Sequence, residues 1–436
     1  MLKHLKEHID TDLAFIKGKR LLLACSGGLD SVVMTQLFKA LNFDIGLAHC
    51  NFLLRGAESD EDEAFVSALA EQLEVPVYIE NFDTKQFAED HKISIQMAAR
   101  ELRYNWFEEI CNDFNYHFIL TAHHADDNLE TMLINLSRGT GIRGLTGIKA
   151  VNGNIIRPLL PFSRTELLSF AKKKNFYWRE DSSNAGNDYL RNELRHQVIP
   201  PFKKAVPGLL DNVQSTQKHL AETAGLLEDY MSLVYQLAVS EMEFGYSIDI
   251  LKLSELPNTN ALLYELLHPF GFSAWEDISR LLAAQSGKQI FSDSHRLLKD
   301  RSALLLTEIP KEDTTNEVLI SETTKKISQP VALRFEDVKA VGDLLKTAIY
   351  IDKDQLHFPL EIRKWREGDA FHPFGMAGKK KLSKFFKDEK LSLVAKENIH
   401  VLCSNNQVVW VIGYRMDDNF KVQPHTKNII KISIDT

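Results

Sequence analysis

Short apolar runs alternate with amphipathic stretches along the first half of the chain. The runs "RLLLAC", "FDIGLAHC", "VPVYIE" and "YHFILTAHH" have the length and composition of buried strands. Segments such as "DEDEAFVSALAEQLE" and "IQMAARELRYNWFEEICNDF" between them carry a helical period. That rhythm predicts an α/β domain, a doubly wound parallel sheet with helices on both faces and ligands at the carboxyl ends of its strands. From about Pro200 the pattern shifts to long helical stretches, "LLDNVQSTQKHLAETAGLLEDYMSLVYQLAVSEME", "NALLYELLHPFG" and "WEDISRLLAAQ", which predict a helical middle domain. The polar "IPKEDTTNEVLISETTKKISQP" reads as a linker or weak strands, and "PLEIRKWREGD" with "NQVVWVIGYRM" predicts a small α+β third domain. The boundaries expected are 1–205, 206–325 and 326–436.

Composition changes this picture little. With 436 residues, 44% of them apolar, the chain can build several cores. The opening "MLKHLKEHIDTDLAFIKGKR" lacks the apolar centre of a signal peptide, and no run approaches the roughly 20 residues that span a bilayer. A cytoplasmic protein without membrane association is expected. Cys25, Cys50, Cys111 and Cys403 are scattered without CxxC spacing, which argues against a disulfide framework or a thiolate metal site. A formal net charge of -8 does not advertise a nucleic-acid binder. Two windows are nonetheless basic and interleaved with aromatics: one from "FSRTELLSF" to "FKK", the other "EIRKWREGDAFHPFGMAGKKKLSKFFKDEK".

Candidate chemistry begins where the first strand hands over to a helix, at Ser26-Gly27-Gly28-Leu29-Asp30-Ser31. Two glycines let backbone N–H groups converge on an anion, with hydroxyls on either side and a helix start behind. The stretch has neither the GxxxxGK[ST] of a P-loop NTPase nor the GxGxxG of a dinucleotide site. An enzyme that releases pyrophosphate intact needs no lysine along a γ-phosphate. A capped strand-to-helix turn is the plainer reading for an isolated Ser-Gly-Gly, but the full SGGxDS after a buried strand argues for a phosphate cradle.

Three further stretches bear on it. In "LAHCNFLLRGAESDEDEAF" a strand ends at His49, and a loop presents Asn51 and Arg55 before Asp60, Glu61 and Asp62, read as a solvated helix start. In "AARELRYNWFEEI" Arg100 and Arg103 lie on adjacent positions of one helical face, suited either to an anion or to surface ion pairs. In "LTAHHADDNLETMLINLSRGTGIRGLTGI" a helix gathers Asp126, Asp127 and Glu130 on one face beside His123 and His124. Carboxylates so close repel one another unless a cation sits among them, which points to Mg²⁺ near the cradle. The glycines with Arg138 and Arg143 predict a loop closing over a nucleotide.

The SGGLDS hexapeptide resembles the PP-loop of the ATP-pyrophosphatase superfamily, whose domain has the adenine nucleotide alpha hydrolase-like fold. "AARELRY", "AHHADDNLET", "RGTGIRGLTG", Arg157-Pro158-Leu159-Leu160, Asp181-Ser182-Ser183-Asn184, then Arg191-Asn192 and Arg195 resemble its tRNA(Ile)-lysidine synthetase branch. The last hundred or so residues resemble that family's carboxy-terminal domain. Asn51-Phe52 departs from the His-Gly commoner there. The resemblance implies a ligase that adenylates the C2 oxygen of the wobble cytidine in a CAU-anticodon tRNA(Ile). Free L-lysine then displaces AMP, with diphosphate already released. It implies ATP contacts from Ser26, Gly27, Gly28, Leu29, Asp30, Ser31, His49 and His123, with Mg²⁺ on Asp30 and Asp127. Asp30, Asp127, Glu130, Arg100 and Arg103 become the catalytic candidates. Arg191, Arg195, Lys379, Lys380, Lys381 and Lys384 become tRNA contacts, with Phe385 and Phe386 placed to stack on bases. Assembly as a homodimer is left open. The alternative is another PP-loop tRNA-modifying enzyme such as a thiolase, which would want a cysteine pair.

Overall fold

The computed structural model describes residues 1–179, 189–309, 317–342 and 346–435. They form two compact units, Met1–Glu228 and Asp229–Thr436.

In the first unit, α1 (Leu2–Thr11) precedes β1 (Leu21–Ala24), α2 (Leu29–Ala40), β2 (Ile45–Asn51), α3 (Ala57–Leu73) and β3 (Val77–Asn81). Then come α4 (Thr84–His91), α5 (Ile95–Phe114), β4 (Phe118–Leu120), α6 (Ala125–Ser137) and α7 (Ile142–Leu145). The hairpin β5 (Val151–Asn152) and β6 (Ile155–Ile156) leads to α8 (Arg164–Lys174). The sheet runs β3-β2-β1-β4-β6-β5, parallel except for the β5–β6 hairpin. β1 pairs with β2 through Leu21↔Ile45 and with β4 through Leu21↔Phe118. The chain therefore reverses direction across the sheet between β1 and β4, and the crevice that opens there is where such sheets bind ligands.

The Leu21-Leu22-Leu23 run explains why β1 is central. All three side chains are fully buried, Leu21 and Leu23 among residues of α1, α2, α3 and α8, Leu22 against Phe107 and Ile110 of α5. A strand covered on both faces has no polar side, and each such leucine contributes about 2 kcal/mol of burial.

After the segment outside the described residues, α9 (Tyr189–Glu193) passes through one wider π-helical turn, Leu194–Val198, into α10 (Ile199–Ala205). The helix α11 (Leu209–Ala238) opens in the first unit, and its last residues lie in the second, where Val234 and Ala238 enter a core.

The helical middle domain expected from sequence needs correction. Beside α12 (Ile250–Ser254), α13 (Thr259–Leu267) and α14 (Trp275–Leu281) lies a five-stranded antiparallel sheet. It is built from β7 (Val239–Met242), β8 (Gly245–Asp249), β9 (Gln289–Phe291), β10 (His295–Asp300) and β11 (Ala303–Glu308), ordered β7-β8-β11-β10-β9. The inner residues of β10 and β11 are buried in unbroken rows, so "HRLLKD" and "ALLLTE" lack the alternation that marks a half-exposed strand.

The remainder is α+β as expected. Its strands are β12 (Val318–Ile320), β13 (Lys326–Ile327), β14 (Leu333–Val338), β15 (Ala348–Asp352), β16 (Leu360–Lys364), β17 (Ala370–Phe371) and β18 (Lys380–Lys381). After α15 (Leu382–Asp388) and α16 (Leu393–Glu397) come β19 (His400–Ser404), β20 (Gln407–Val411), β21 (Arg415–Met416) and β22 (Ile429–Ile434). They form sheets β12-β16-β19-β20-β21 and β13-β14-β22-β15, with β17 and β18 as a separate pair.

Candidate active site

The turn after β1 has the geometry of an anion cradle. Gly27 sits at φ +84°, which L side chains rarely adopt, and a Cβ there would meet the Phe65 ring at 3.3 Å. Gly28 is the residue before α2 and has no side chain to cap it, so the first amides of the helix are left for an external acceptor. The Ser26 and Ser31 hydroxyls lie 3.3 Å apart, and Ser31 Oγ donates to the Gly28 carbonyl at 3.0 Å. Leu29 is buried in the core and offers only its backbone. Arg179 N–H donates to Gly27 O at 2.9 Å, while its guanidinium reaches Asp62 Oδ1 at 2.5 Å and Glu61 Oε2 at 2.7 Å.

That contact corrects, at Asp62 alone, the reading of the acidic run as solvated, since Asp60 and Glu61 are exposed. Asp62 is buried and also accepts from Arg55 at 2.8 Å. Asn51 donates to Asp60 at 3.2 Å and to Glu63 at 3.0 Å, so the residue that departs from the family pattern tethers the start of α3. His49 is buried, with Nδ1 2.9 Å from the Cys25 carbonyl; it supports the backbone leading into the turn and does not line the cleft. Burial outweighs the neighbouring carboxylates and holds its pKa below the usual value.

The cleft, about 320 Å³, is walled by Ser26, Gly28, Asp30, Ser31, Cys50, Phe52, Arg103, Tyr104, His123 and Asp127, among others. Arg103 and Arg100, expected together, are parted: Arg103 lies 5.1 Å over the Phe52 ring within the cleft, and Arg100 is exposed over Tyr104 at 4.9 Å. His123 holds Thr121 Oγ1 at 2.9 Å, and desolvation takes its pKa down to about 4, so it faces the cleft as a neutral ring. The thiols that reach the cleft are poor nucleophiles, since burial raises the pKa of Cys25 and lifts that of Cys50 to about 12.

The acidic face of α6 forms as expected, but much of its compensation is proteinaceous. Glu130 accepts from Arg195 Nε at 2.7 Å and lies 3.3 Å from Arg191 Nε; Asp127 accepts from Arg195 at 3.0 Å; Asp126 accepts from Lys203 at 2.6 Å. Arg191 and Arg195, expected as tRNA contacts, thus direct their charge at the carboxylates of α6. Burial would lift the Asp126 pKa, but Lys203 and the Arg164 amide pull it below the usual value. His124, which the sequence placed beside the carboxylates without a role of its own, proves central. It caps α6 by accepting from Asp127 N at 3.3 Å, and its Nε2 lies 3.6 Å from Asp30 Oδ2. Burial opposes its charge, but Asp30, Asp127 and Asp126 outweigh it and raise its pKa.

Asp30 Oδ1 is buried without a hydrogen-bond partner. Among the described residues no three His, Cys, Asp or Glu side chains converge as a ready-made metal cage. An orphaned carboxylate oxygen beside a phosphate cradle, with Asp127 across the cleft, fits a Mg²⁺ that keeps its waters and binds through one or two carboxylates and phosphates. Asp181-Ser182-Ser183-Asn184 lies outside the described residues.

Comparison with known proteins bears directly on this geometry. Residues 1–202 match the PP-loop domain, 241–309 the TilS substrate binding domain and 360–434 the TilS substrate C-terminal domain. The tRNA(Ile)-lysidine synthase of Parabacteroides distasonis is 39% identical over 443 residues, 99% of this chain and 99% of its own. That of Bacteroides thetaiotaomicron is 38% identical, covering 97% of each chain. The chain belongs to the tRNA(Ile)-lysidine synthase family. Among solved structures, a U34-tRNA thiolase from Methanococcus maripaludis shares 18% identity and a TM-score of 0.44 over 51% of this chain and 78% of its own, too distant to weigh on activity.

The lysidine synthase family reading placed tRNA on the lysine run of the second unit, and there one expectation fails. Phe385 and Phe386 are buried, 2% and 0% exposed, packed with Phe371, Leu382 and Val401, and cannot stack on bases. Helical spacing turns them inward while Lys379, Lys381 and Lys384 stay exposed. Lys380 is half-buried and bound to Asp388 at 2.6 Å. No helix of the described residues is long and apolar enough to cross a membrane.

Proposed function

We propose that this chain is the cytoplasmic ligase that joins free L-lysine to C2 of the wobble cytidine of tRNA(Ile) with a CAU anticodon, at the expense of ATP. The observation that carries this reading is the near full-length match to lysidine synthases combined with an intact Gly27–Asp30 turn facing the acidic start of α6.

In this reading the turn's amides and the Ser26 and Ser31 hydroxyls hold the two outer phosphates so that they depart together. Mg²⁺ held by Asp30 and Asp127 would neutralise the charge of the departing pyrophosphate. The C2 oxygen of cytosine attacks the α-phosphorus and becomes an adenylyl ester; the lysine ε-amine then attacks C2 and expels AMP. That amine is mostly protonated near neutral pH, and of the candidate carboxylates we assign Asp127 or Asp30, which line the cleft, to hold the ammonium or take its proton, while Glu130, buried against Arg195, acts only by positioning that arginine. Arg103, within the cleft, is suited to the developing negative charge. Lys379, Lys381 and Lys384 present positive charge for the tRNA backbone. We assign catalysis to 1–205 and tRNA contacts chiefly to 326–436, with 206–325 between.

The test is incorporation of radiolabelled lysine into bulk bacterial tRNA with ATP and Mg²⁺. Label entering RNA only with ATP, and lost in Asp30→Ala, supports the reading; release of ADP and orthophosphate in place of AMP and diphosphate overturns it.

A further inference from the structure

We propose that His124 is a positioning residue that locks the Asp30 carboxylate of the phosphate turn to the start of the catalytic helix α6; this rests on the ligase reading above. The ring is 2% exposed and lies between two helix starts, with Nε2 3.6 Å from Asp30 Oδ2 at the first turn of α2 and Nδ1 3.4 Å from Asp127 Oδ2 at the first turn of α6. Asp126 Oδ2 stands 4.0 Å from Nδ1.

A cap alone does not explain a histidine. The backbone N–H of His124 donates to Asp127 Oδ2 at 3.0 Å, and Nδ1 accepts from the Asp127 amide at 3.3 Å, a reciprocal box that asparagine or serine would form with a shorter side chain. What the imidazole adds is reach: only its far nitrogen extends to Asp30. Whether the ring is neutral with Nδ1 accepting, or cationic, Nε2 carries a hydrogen and faces Asp30 Oδ2. At 3.6 Å this contact is longer than a formed hydrogen bond, and contacts of this kind commonly tighten when substrate fills a site. One oxygen of Asp30 is thereby engaged, while the other, Oδ1, is buried and unpartnered. Once that contact tightens, the carboxylate's rotation is fixed and its other oxygen is left for what enters the cleft. Because β1 and β4 are neighbours in the sheet, this ring bridges the two strand ends that bound the crevice.

The experiment compares wild type, His124→Asn and His124→Ser, which keep a capping oxygen and lose Nε2, in the full-length chain. We expect melting temperatures close to wild type and unchanged KM for lysine and tRNA. We expect kcat to fall about 10- to 100-fold, with weakened equilibrium binding of a non-hydrolysable ATP analogue in Mg²⁺. We also expect His124→Asn to cost nothing further in an Asp30→Ala background, measured by analogue binding. Wild-type kcat and analogue affinity in His124→Asn, or binding losses that simply multiply with Asp30→Ala, overturn the proposal. If neither variant folds, the ring is structural and the proposal is equally overturned. Wild-type protein that binds the analogue but never transfers lysine to RNA defeats the ligase reading and leaves the binding result on His124 to be judged separately.

Discussion

Asn128 and Gln217 hold one another by paired hydrogen bonds within the first unit: Asn128 Nδ2 donates to Gln217 Oε1 at 2.7 Å, and Gln217 Nε2 returns to Asn128 Oδ1 at 3.3 Å. Both are buried, and Asn128 Oδ1 also accepts the Ile148 amide at 2.7 Å. Gly147, at φ +74°, lies so close that a Cβ would meet Asn128 Oδ1 at 2.1 Å. Asn128 follows Asp127 on α6, so this pair pins the back of α6 to α11 and to the glycine-rich stretch. That stretch, expected to be a closing loop, is anchored here and again where Asn135 donates to Gly144 O at 2.8 Å.

Replacing Asn128 by Leu leaves the Gln217 amide and the Ile148 N–H buried without partners, a loss of about 2–3 kcal/mol. We expect a lower urea midpoint for the first unit, followed by fluorescence, together with weaker ATP binding.

Arg195 is the principal partner of Glu130, whose side chain is 2% exposed. Arg195→Ala leaves the buried carboxylate to Arg191, 3.3 Å away, and should cost about 3 kcal/mol of stability or less. Adding Glu130→Gln should return most of that loss while leaving lysine transfer abolished. A double-mutant cycle on melting temperature with parallel activity assays separates the two effects; recovery of activity in the double variant would contradict the positioning role proposed for the Glu130–Arg195 pair.

His49 titrates below the usual value of about 6.5 because it is buried. Below pH 6.5 the unfolded chain takes up a proton that the folded chain refuses, so stability from this group is full above pH 6.5 and declines as pH falls toward the folded pKa. His49→Asn should flatten the stability profile of the first unit across that acidic window, by up to one proton in the slope. Denaturant titrations at successive pH values will read it.

Converting Lys379, Lys381 and Lys384 together to Glu should weaken tRNA binding and lower the salt dependence of affinity by about 2–3 in log–log slope, with little change in melting temperature. Phe385→Ala should do the reverse, destabilising the second unit by about 3–5 kcal/mol because the ring is core. Filter binding at several salt concentrations with thermal melts distinguishes them.

The phosphate turn and the acidic start of α6 were legible because each depends on residues a few positions apart: the φ of Gly27, the spacing of Asp126, Asp127 and Glu130. What was not legible lies across long separations. Arg195 meets Glu130 over 65 residues, Lys203 meets Asp126 over 77, and Arg179 meets Asp62 over 117. Local spacing carries no trace of such pairs, so a carboxylate cluster that looked in need of a metal was partly satisfied by distant cations. The middle sheet escaped for a different reason: buried strands such as Leu304-Leu305-Leu306 show no alternation, and the helical stretches before them dominated the reading of that region. His124 was in view, but nothing in "AHHADD" said which of its two imidazoles would turn toward Asp30.

The inward pair Phe385 and Phe386 also has a meaning for whatever meets the lysines above it. Lys384 on α15, and Lys381 on the strand that leads into it, are mounted on backbone pinned from beneath by two aromatic rings and have surrendered their freedom during folding. An incoming polyanion therefore finds a prearranged array, and less of the attraction is consumed in organising it.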